Sequence, residues 1–334
     1  MRRVLIALAV VLVLFGALAG GAVMYARRVY DAPGPLAAAR TVMVPRGGLD
    51  TVAAALQRAG VVADGRAFRI AALLTRDQGK LHAEELAFPA HASLRQVLVV
   101  LRTAPPVQHN LTIPEGFTAA QIAELLARTD GLTGDVVLPA EGSVLPQTYA
   151  YAVGATRASI VARAQAAMQR TLAREWAGRA PDLPLASPEQ ALILASIVER
   201  ETGKPDERPM VAAVFLNRLR LGMKLQSDPT VVYAASGGFG TLDRPLMRAD
   251  LEMDGPYNTY RVDGLPPAPI CSPGVASLHA VLHPAATDAL YFVADGSGGH
   301  VFARTLAEHD RNVAKWRAEE GAGRTSGGSP AKAN

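Results

Sequence analysis

The chain has one cysteine, few aromatic residues and no dense block of basic residues. A single cysteine, Cys271, excludes an intramolecular disulfide and a thiolate metal cluster. Cys271 stands in PPAPICSPG, which is typical of a loop, so we interpret it as a small structural residue rather than a nucleophile. Aromatic residues make up 5% of the chain and are not interleaved with basic clusters, which excludes a typical nucleic-acid interface.

Several catalytic signatures are also missing. The sequence contains no G-x-S-x-G, no P-loop and no G-x-G-x-x-G in a βαβ setting. His279 and His283 have the i,i+4 spacing of two metal ligands, but no glutamate stands between them as in H-E-x-x-H. We therefore predict neither a cofactor nor a metal. The formal net charge of +4 is mild and suits an anionic membrane surface or an anionic polymer.

The chain has one long apolar run, which lies at the N-terminus. Residues 4–26 are apolar and have arginines on both sides, and this length is enough to span a bilayer as a helix. A cleaved signal peptide is the alternative, because Ala17 and Ala19 form a small-x-small pair, but the run continues well past them. We predict a retained membrane anchor over residues 1–30. The arginines at both ends leave its orientation open.

Changes of periodicity divide the rest of the chain. Residues 31–40 predict a short stalk. Residues 41–110 alternate strand-like and helix-like pieces in the order β-α-α-β-α, which predicts a small α/β module. Residues 111–318 predict a larger mixed domain, and residues 319–334, rich in glycine, serine, proline and alanine, predict a disordered tail. The predicted fold class is α+β behind a transmembrane helix.

Within the larger domain, three segments lack a helical pattern. Residues 141–154 predict a loop, and residues 224–233 predict loop or strand. The segment ALYFVADGSGGHVFA, residues 289–303, predicts two strands joined by a tight glycine-rich turn.

The segment 187–203 predicts a buried helix. Ser187 is suited to the N-cap, Pro188 to the first helical position and Gln190 to a capping box. Gly203 is suited to end the helix. Apolar residues of ALILASIV occupy every face between these limits, so the helix is expected to lie in the protein core.

Two glutamates stand at the end of this helix. Glu199 lies one turn after Ala195 on an apolar stripe. Burial disfavours the charged form, so we expect Glu199 to hold its proton and act as a general acid. Glu201 lies about 200° away around the helix, nearly opposite. Both cannot face one cleft, and the glutamate that does no chemistry would pair with an arginine or anchor a loop.

Two later loops carry polar and aromatic side chains of the kind that bind sugars. Amides bond hydroxyl and acetamide groups, and flat rings lie against sugar faces. Turn formation alone is the alternative explanation, because Asp-Pro and Pro-Tyr-Asn favour turns. The candidates are Gln226, Ser227 and Asp228 in LQSDPT, and Tyr257, Asn258 and Tyr260 in PYNTY.

Four long motifs resemble those of one known family, the YceG-like endolytic murein transglycosylases. They are SIVERET, VFLNRLRLGMKLQSDPTVVY, PYNTYRVDGLPPAPICSPG and YFVADGSGGHVF. EGSVLPQTYAY is similar to the family element EGWLFPDTY, although Ser143, Val144 and Gln147 depart from it. The resemblance implies that residues 41–110 form a LysM-like module, with EELAFPA in place of its GxYxxP strand, and that residues 111–318 form the catalytic domain.

The resemblance also implies a function. Members of the family are lyases that cleave peptidoglycan strands internally, between N-acetylmuramic acid and N-acetylglucosamine, and leave 1,6-anhydromuramyl ends, which is proposed to terminate strand elongation. They are single-pass proteins of the bacterial inner membrane with a periplasmic catalytic domain, and penicillin-binding protein synthases are expected partners. The family's catalytic glutamate is the first of its E-x-E-T pair, which is Glu199 here. The expected substrate-binding residues are Gln226, Ser227, Tyr257, Asn258 and Glu201.

A single catalytic carboxyl group suffices for this chemistry. It protonates the glycosidic oxygen and then takes the proton from the C6 hydroxyl of the muramic acid, which attacks C1 of the same sugar. A hydrolase instead uses two carboxyl groups, roughly 5–5.5 Å or 6.5–9.5 Å apart. Because Glu199 and Glu201 point apart, the single-acid scheme is favoured. A non-catalytic, membrane-anchored peptidoglycan-binding scaffold and a hydrolytic muramidase remain as alternatives.

Overall fold

The computed structural model describes residues 2–326 as a mixed α+β protein with two compact units. The first unit extends to His109 and includes Tyr151–Val153. The second unit comprises Asn110–Ala150 and the chain from Gly154 onward. The LysM-like character expected of the small module stays a prediction.

The N-terminal helix α1 (Arg2–Asp31) contains the predicted anchor. Its segment Leu5–Asp31 has a mean hydropathy of 2.6 and is long and apolar enough to cross a membrane. The most apolar part of this segment is not buried against other parts of the protein. Such a helix is suited to a lipid environment, because its backbone bonds are satisfied within the segment.

The first unit builds one core from three helices and a two-stranded antiparallel sheet, in which Arg40 lies opposite Phe88 and Met43 opposite Glu85. Ser93 begins the third of these helices with a complete capping box. The order of these elements is the predicted β-α-α-β-α. They are β1 (Arg40–Met43), α2 (Leu49–Arg58), α3 (Gly65–Leu74), β2 (Glu85–Phe88) and α4 (Leu94–Thr103).

The second unit is mainly helical, with two small sheets. The pair β3–β4 forms one sheet and the antiparallel hairpin β5–β6 forms the other. The strands are β3 (His109–Thr112), β4 (Thr148–Tyr151), β5 (Tyr291–Ala294) and β6 (His300–Ala303). The helices are α5 (Ala119–Arg128), α6 (Arg157–Ala177), α7 (Pro188–Glu201), α8 (Arg208–Arg220), α9 (Asp228–Ala235), α10 (Arg248–Glu252), α11 (Val275–Leu282) and α12 (Leu306–Ser326).

The core of the second unit forms around α7, as the apolar pattern predicts. Helices α7, α8 and α11 pack against one another, and α6 covers them. Ser187 accepts a hydrogen bond from the backbone N–H of Gln190, which confirms the predicted N-cap. Leu194, Ile197 and Val198 are fully buried, so the end of α7 is held rigidly.

Three predicted segments differ from the structure. Residues 141–154 contain the strand β4, which pairs with β3. Residues 224–233 contain α9 rather than a strand, because Asp-Pro at its first two positions favours a helix start over the strand preference of Thr-Val-Val. Within the predicted disordered tail, residues 319–326 continue α12, since each residue added to an existing helix gains a hydrogen bond. Residues 327–334 lie outside the described residues.

Candidate active site

Glu199 lies at the end of α7 in a closed, charged environment. Its side chain is only 5% exposed. Arg208 Nη2 donates to Glu199 Oε1 at 3.1 Å, and the backbone N–H of Gly274 donates to Oε2 at 2.8 Å. Both carboxyl oxygens of Glu199 therefore already have charge-assisted or backbone partners. The burial of Glu199 follows the prediction, but its surroundings are not simply apolar.

A second glutamate joins this ion pair. Arg208 Nη2 lies 3.5 Å from Glu115 Oε2, so one guanidinium serves two carboxyl groups. Burial and the neighbouring charge of Glu199 raise the pKa of Glu115, while Arg208 acts in the opposite direction. The Glu115 carboxyl packs directly against Gly274. A Cβ at position 274 would overlap this carboxyl. This cluster joins α7, α8 and the loop before α11.

Glu201 faces a different place, a pocket of about 360 Å³. Its walls come from the C-terminal end of α7, the helix α8, the loop before α9, the β5–β6 hairpin and α12. The pocket combines ionisable, amide and aromatic groups with a few apolar ones. It is lined by Glu201, Arg218, Leu225, Gln226, Asp228, Tyr260, Phe292, Val293, Ala294, His300 and His309.

The surroundings of Glu201 change its acidity. Protein atoms crowd its carboxyl group, although the residue as a whole keeps some exposure to solvent. This desolvation raises the pKa of Glu201 to about 7, and the charge of Asp228 acts in the same direction. The hydrogen bond from Ser227 and the charge of Arg218 act against it. Glu201 is thus suited both to give and to accept a proton near neutral pH.

Ser227 positions the Glu201 carboxyl. Its hydroxyl donates to Glu201 Oε1 at 2.8 Å. Ser227 occupies the N-cap position of α9, yet its side chain makes no capping bond there. The residue is fully buried, and its backbone N–H donates to Thr259 Oγ1 at 2.9 Å. The hydroxyl of Ser227 is therefore engaged by Glu201, and its predicted contact with a substrate stays a prediction.

Gln226 is a predicted binding residue that lines the pocket, together with Glu201 and the candidates Asp228 and Tyr260. Its side chain is exposed and its φ is +52°, a left-handed conformation that is uncommon outside glycine. Arg218 links the residue before Gln226 to the start of the β5–β6 hairpin, because its Nη1 donates to the carbonyl of Leu225 at 2.8 Å and its Nε to that of Leu290 at 2.7 Å. Strained residues of this kind cluster at functional sites.

Asp228 and Tyr260 form a second polar pair in the pocket. The Tyr260 hydroxyl donates to Asp228 Oδ1 at 2.6 Å. Burial and this contact with Asp228 raise the pKa of Tyr260, so the phenol remains protonated at neutral pH. The pocket therefore holds two carboxyl groups, Glu201 and Asp228, that have different hydrogen-bond partners.

Two histidines close the pocket on the side of the hairpin and α12. His300 Nδ1 lies 2.8 Å from Glu207 Oε2, and its backbone N–H donates to Glu207 Oε1 at 3.0 Å. His309 stacks on Tyr291 with 5.2 Å between the ring centroids. Burial lowers the pKa of His309; the charge of Asp310 opposes this shift and that of Arg218 adds to it, so the neutral imidazole is favoured.

Tyr257 and Asn258, like Ser227, do not line the pocket. Asn258 is fully buried, and its amide donates to the carbonyls of Leu251 and Met253 at 3.0 and 2.6 Å. These bonds tie Asn258 to the end of α10, and its role in substrate binding stays a prediction. Tyr257 packs against Tyr233, with 5.0 Å between the ring centroids, outside the pocket.

Cys271 is fully buried, and its thiol lies 3.3 Å from the carbonyl oxygen of Ser196. Burial raises the pKa of this thiol, which disfavours the nucleophilic thiolate.

The sequence-based reasoning missed the roles of Arg218, His300 and His309. Arg218 carried a weak signal, because it lies between the apolar residues Leu216 and Leu219 near the end of α8. His300 and His309 carried none, since their approach to α7 depends on how the hairpin and α12 pack.

Comparison with known proteins identifies the family. Residues 42–315 match the YceG-like family. The chain is 38% identical over 178 residues to an endolytic murein transglycosylase of Bacillus subtilis, and 29% identical over 326 residues to a protein of the same name from Streptococcus pneumoniae. These alignments cover 53% and 82% of this chain, and 48% and 58% of the two relatives.

A solved structure agrees with this match. The 2.6 Å crystal structure of a yceG-like protein from Listeria monocytogenes aligns with a TM-score of 0.51 and 28% sequence identity. The alignment covers 82% of this chain and 98% of that one. The family match includes the end of α7 and every residue that lines the pocket around Glu201. The chain therefore belongs to the YceG-like family.

Proposed function

We propose that this protein is a membrane-anchored lytic transglycosylase that cleaves peptidoglycan strands internally and leaves 1,6-anhydromuramyl ends. The observation that carries the proposal is the environment of Glu201, a carboxyl group whose pKa is raised to about 7 in a polar pocket. The names of the bacterial relatives, endolytic murein transglycosylases, support murein as the substrate.

We assign the single general acid and base to Glu201, and a structural role to Glu199. The sequence-based expectation named Glu199, and it left open that one glutamate does chemistry while the other pairs with an arginine. The pairing of Glu199 with Arg208 and with the backbone of Gly274 supports a structural role for it. The pocket, the raised pKa and the hydrogen bond from Ser227 support Glu201 as the acid.

In this mechanism Glu201 acts twice. As the acid, it donates its proton to the glycosidic oxygen while the C1–O bond breaks and positive charge develops on the muramic ring. As the base, the resulting carboxylate accepts the proton of the C6 hydroxyl, whose oxygen then bonds to C1 of the same sugar. The proton that left Glu201 is thereby replaced, and no water is consumed.

Other groups of the pocket are placed to hold the sugar. Gln226 offers an exposed amide to hydroxyl or acetamide groups, and the Asp228 carboxylate adds negative charge near the developing cation. The presence of Asp228 in the pocket favours the alternative, a hydrolytic muramidase, because a second carboxyl group could activate water. In the lytic reaction the nucleophile is the C6 hydroxyl of the substrate, so no second carboxyl group is needed.

The placement in the cell belongs to the same proposal. The helix α1 would anchor the protein in the inner membrane, with both units on the periplasmic side where murein lies. A LysM-like role for the first unit rests on its β-α-α-β-α order. Penicillin-binding protein synthases remain expected partners on the resemblance alone.

Mass spectrometry of glycan strands digested by the full-length protein tests the reaction. We expect new ends that carry 1,6-anhydromuramic acid. Ends heavier by one water would show a muramidase, and the absence of new ends would show a binding scaffold. Either of these two results would overturn the proposal.

A further inference from the structure

An apolar groove of about 390 Å³ lies between the end of α1 and the helix α3, within the first unit. Its walls are almost entirely apolar. Residues 23–30 of α1 form one wall, and Ala67, Ile70, Ala71 and Leu74 of α3 form the other. The groove continues onto an exposed apolar surface of α3, where Ile70 is 60%, Leu73 54% and Leu74 78% exposed. Soluble proteins rarely leave such a contiguous patch uncovered.

The position of the groove along α1 indicates what covers it. A helix needs about 20 residues to cross the hydrocarbon core of a bilayer. Counted from Leu5, this length ends near Met24, so residues 25–31 lie at the level of the lipid headgroups. Tyr25 and Tyr30 are aromatic and Arg27 and Arg28 are basic, which is the composition of a membrane interface. The wall contributed by α3 is therefore at the same level.

Contacts between the end of α1 and the rest of the first unit hold α3 at the level of the headgroups. Arg95 of α4 forms a bidentate ion pair with Asp31 at the end of α1, with distances of 2.6 and 3.2 Å. The guanidinium of Arg95 also lies 5.0 Å from the centre of the Tyr30 ring. The backbone N–H of Gly34 donates to the carbonyl of His91 at 3.0 Å, which ties the stalk to the same unit.

The charges around α3 complement a lipid surface. Arg66 is exposed and lies one turn before Ile70 on the same stripe of α3. Arg76 and Lys80 are exposed just after the helix ends. An apolar face bordered by basic residues is typical of helices that lie in the interface of an anionic membrane.

We propose that the exposed face of α3, formed by Ile70, Leu73 and Leu74, inserts into the leaflet from which α1 emerges. The first unit then lies on the bilayer surface, and α3 acts as a second, interfacial contact beside the membrane-spanning helix. This contact is independent of the reaction at Glu201.

Fluorescence of site-specific probes on the full-length protein tests this contact. The protein is placed in nanodiscs that contain anionic phospholipid, with an environment-sensitive fluorophore on an introduced cysteine, Leu74→Cys. The native Cys271 is fully buried and stays unlabelled. Met43→Cys is the matched control, because Met43 is 46% exposed in the same unit and lies outside the groove.

We expect the probe at position 74 to emit at shorter wavelength than the probe at position 43. We also expect it to be quenched by lipids that carry bromine on their acyl chains, while the control probe is not. Equal emission and equal quenching at both positions would overturn the proposal. A blue-shifted probe at position 74 that brominated lipid fails to quench would also overturn it, since protein rather than lipid would then cover the face.

Discussion

Opposing effects act on the pKa of the Glu201 carboxyl group. Desolvation and Asp228 favour its neutral form, while Ser227 and Arg218 favour its charged form. An acid that must first give and then accept a proton needs such a balance, since neither protonation state is then strongly preferred near pH 7. Glu199 is only two residues away but faces the other side of α7, toward Arg208.

Removing the hydroxyl of Ser227 tests this balance. Ser227→Ala deletes a hydrogen bond that lowers the pKa of Glu201, so the basic limb of the pH–rate profile should move to higher pH. The less well oriented carboxyl should also lower kcat about fivefold, which corresponds to about 1 kcal/mol. Ser159→Ala is the control, because the Ser159 hydroxyl bonds only within the first turn of α6. An unchanged profile in Ser227→Ala would contradict the positioning role.

The raised pKa of Glu201 also predicts how stability depends on pH. The ordinary glutamate value is 4.5 and the value in the folded protein is about 7. Between them the folded state binds more protons than the unfolded state, so stability should fall as pH rises from about 4.5 to about 7. The contribution is at most about 3 kcal/mol.

Thermal unfolding of the full-length protein in detergent, at a series of pH values, measures this effect. Glu201→Gln should lose less stability than the wild type across the window, and the exposed Glu252→Gln should follow the wild type. Identical pH dependence in Glu201→Gln and the wild type would show that Glu201 does not titrate in this range.

At the residue scale, the sequence predicts the pair of glutamates but not their separate roles. Helical spacing correctly places Glu199 and Glu201 on opposite sides of α7. The apolar stripe of α7, which is visible in the sequence, and the family resemblance both suggested Glu199 as the acid. The partner of Glu199 is not visible there, since Arg208 reaches it through the packing of α8 on α7.

At the scale of elements, an ion-pair cluster of Arg208 with Glu199 and Glu115 links the end of α7 to α8. Arg208 of α8 is 11% exposed and contacts both Glu199 and Glu115. Its Nε is buried without a hydrogen-bond partner among the described residues. A buried ion pair of this kind adds little to the free energy of unfolding, but removing only its cation strongly destabilises the folded state.

Arg208→Leu should therefore destabilise the protein by about 3–5 kcal/mol, because it leaves the buried carboxyl group of Glu199 without a cation. The double variant Glu199→Gln with Arg208→Leu should recover much of this loss, which thermal unfolding of the single and double variants would show. Arg248→Leu is the control, since it removes an exposed i,i+4 pair worth about 0.5 kcal/mol or less. A double variant no more stable than Arg208→Leu would contradict the ion-pair account.

Elements with strong local signals could be predicted from the sequence. Ser93, Thr118 and Ser187 each mark a helix start, and each accepts the expected bond from the backbone. The helix α9 was missed, because the strand preference of Thr-Val-Val competes with the helix start at Asp-Pro and the sequence pattern does not show which one prevails. The strand β4 exists through its pairing with β3, which is a tertiary contact with no local pattern.

At the scale of the whole molecule, α1 is long and apolar enough to cross a membrane, and the proposal makes it the anchor. Replacing Val11 and Leu14 by arginine places two charges in the middle of the apolar segment. Each costs about 2.5–3.5 kcal/mol in a membrane-spanning helix, so the variant should leave the membrane fraction. Fractionation with an alkaline wash measures this, with Val11→Leu and Leu14→Val as the control. Retention of the doubly charged variant in washed membranes would show that α1 is not the main anchor.

The most direct test of the account compares Glu201→Gln with Glu199→Gln on purified glycan strands, with anhydromuramyl ends counted by mass spectrometry. Each rate is corrected for the folded fraction, since Glu199 supports the structure. We expect Glu201→Gln to lose activity by a factor of at least about 100, as loss of a general acid requires. Glu199→Gln should keep most of its turnover. Cleavage by Glu201→Gln together with inactivity of correctly folded Glu199→Gln would contradict the assignment.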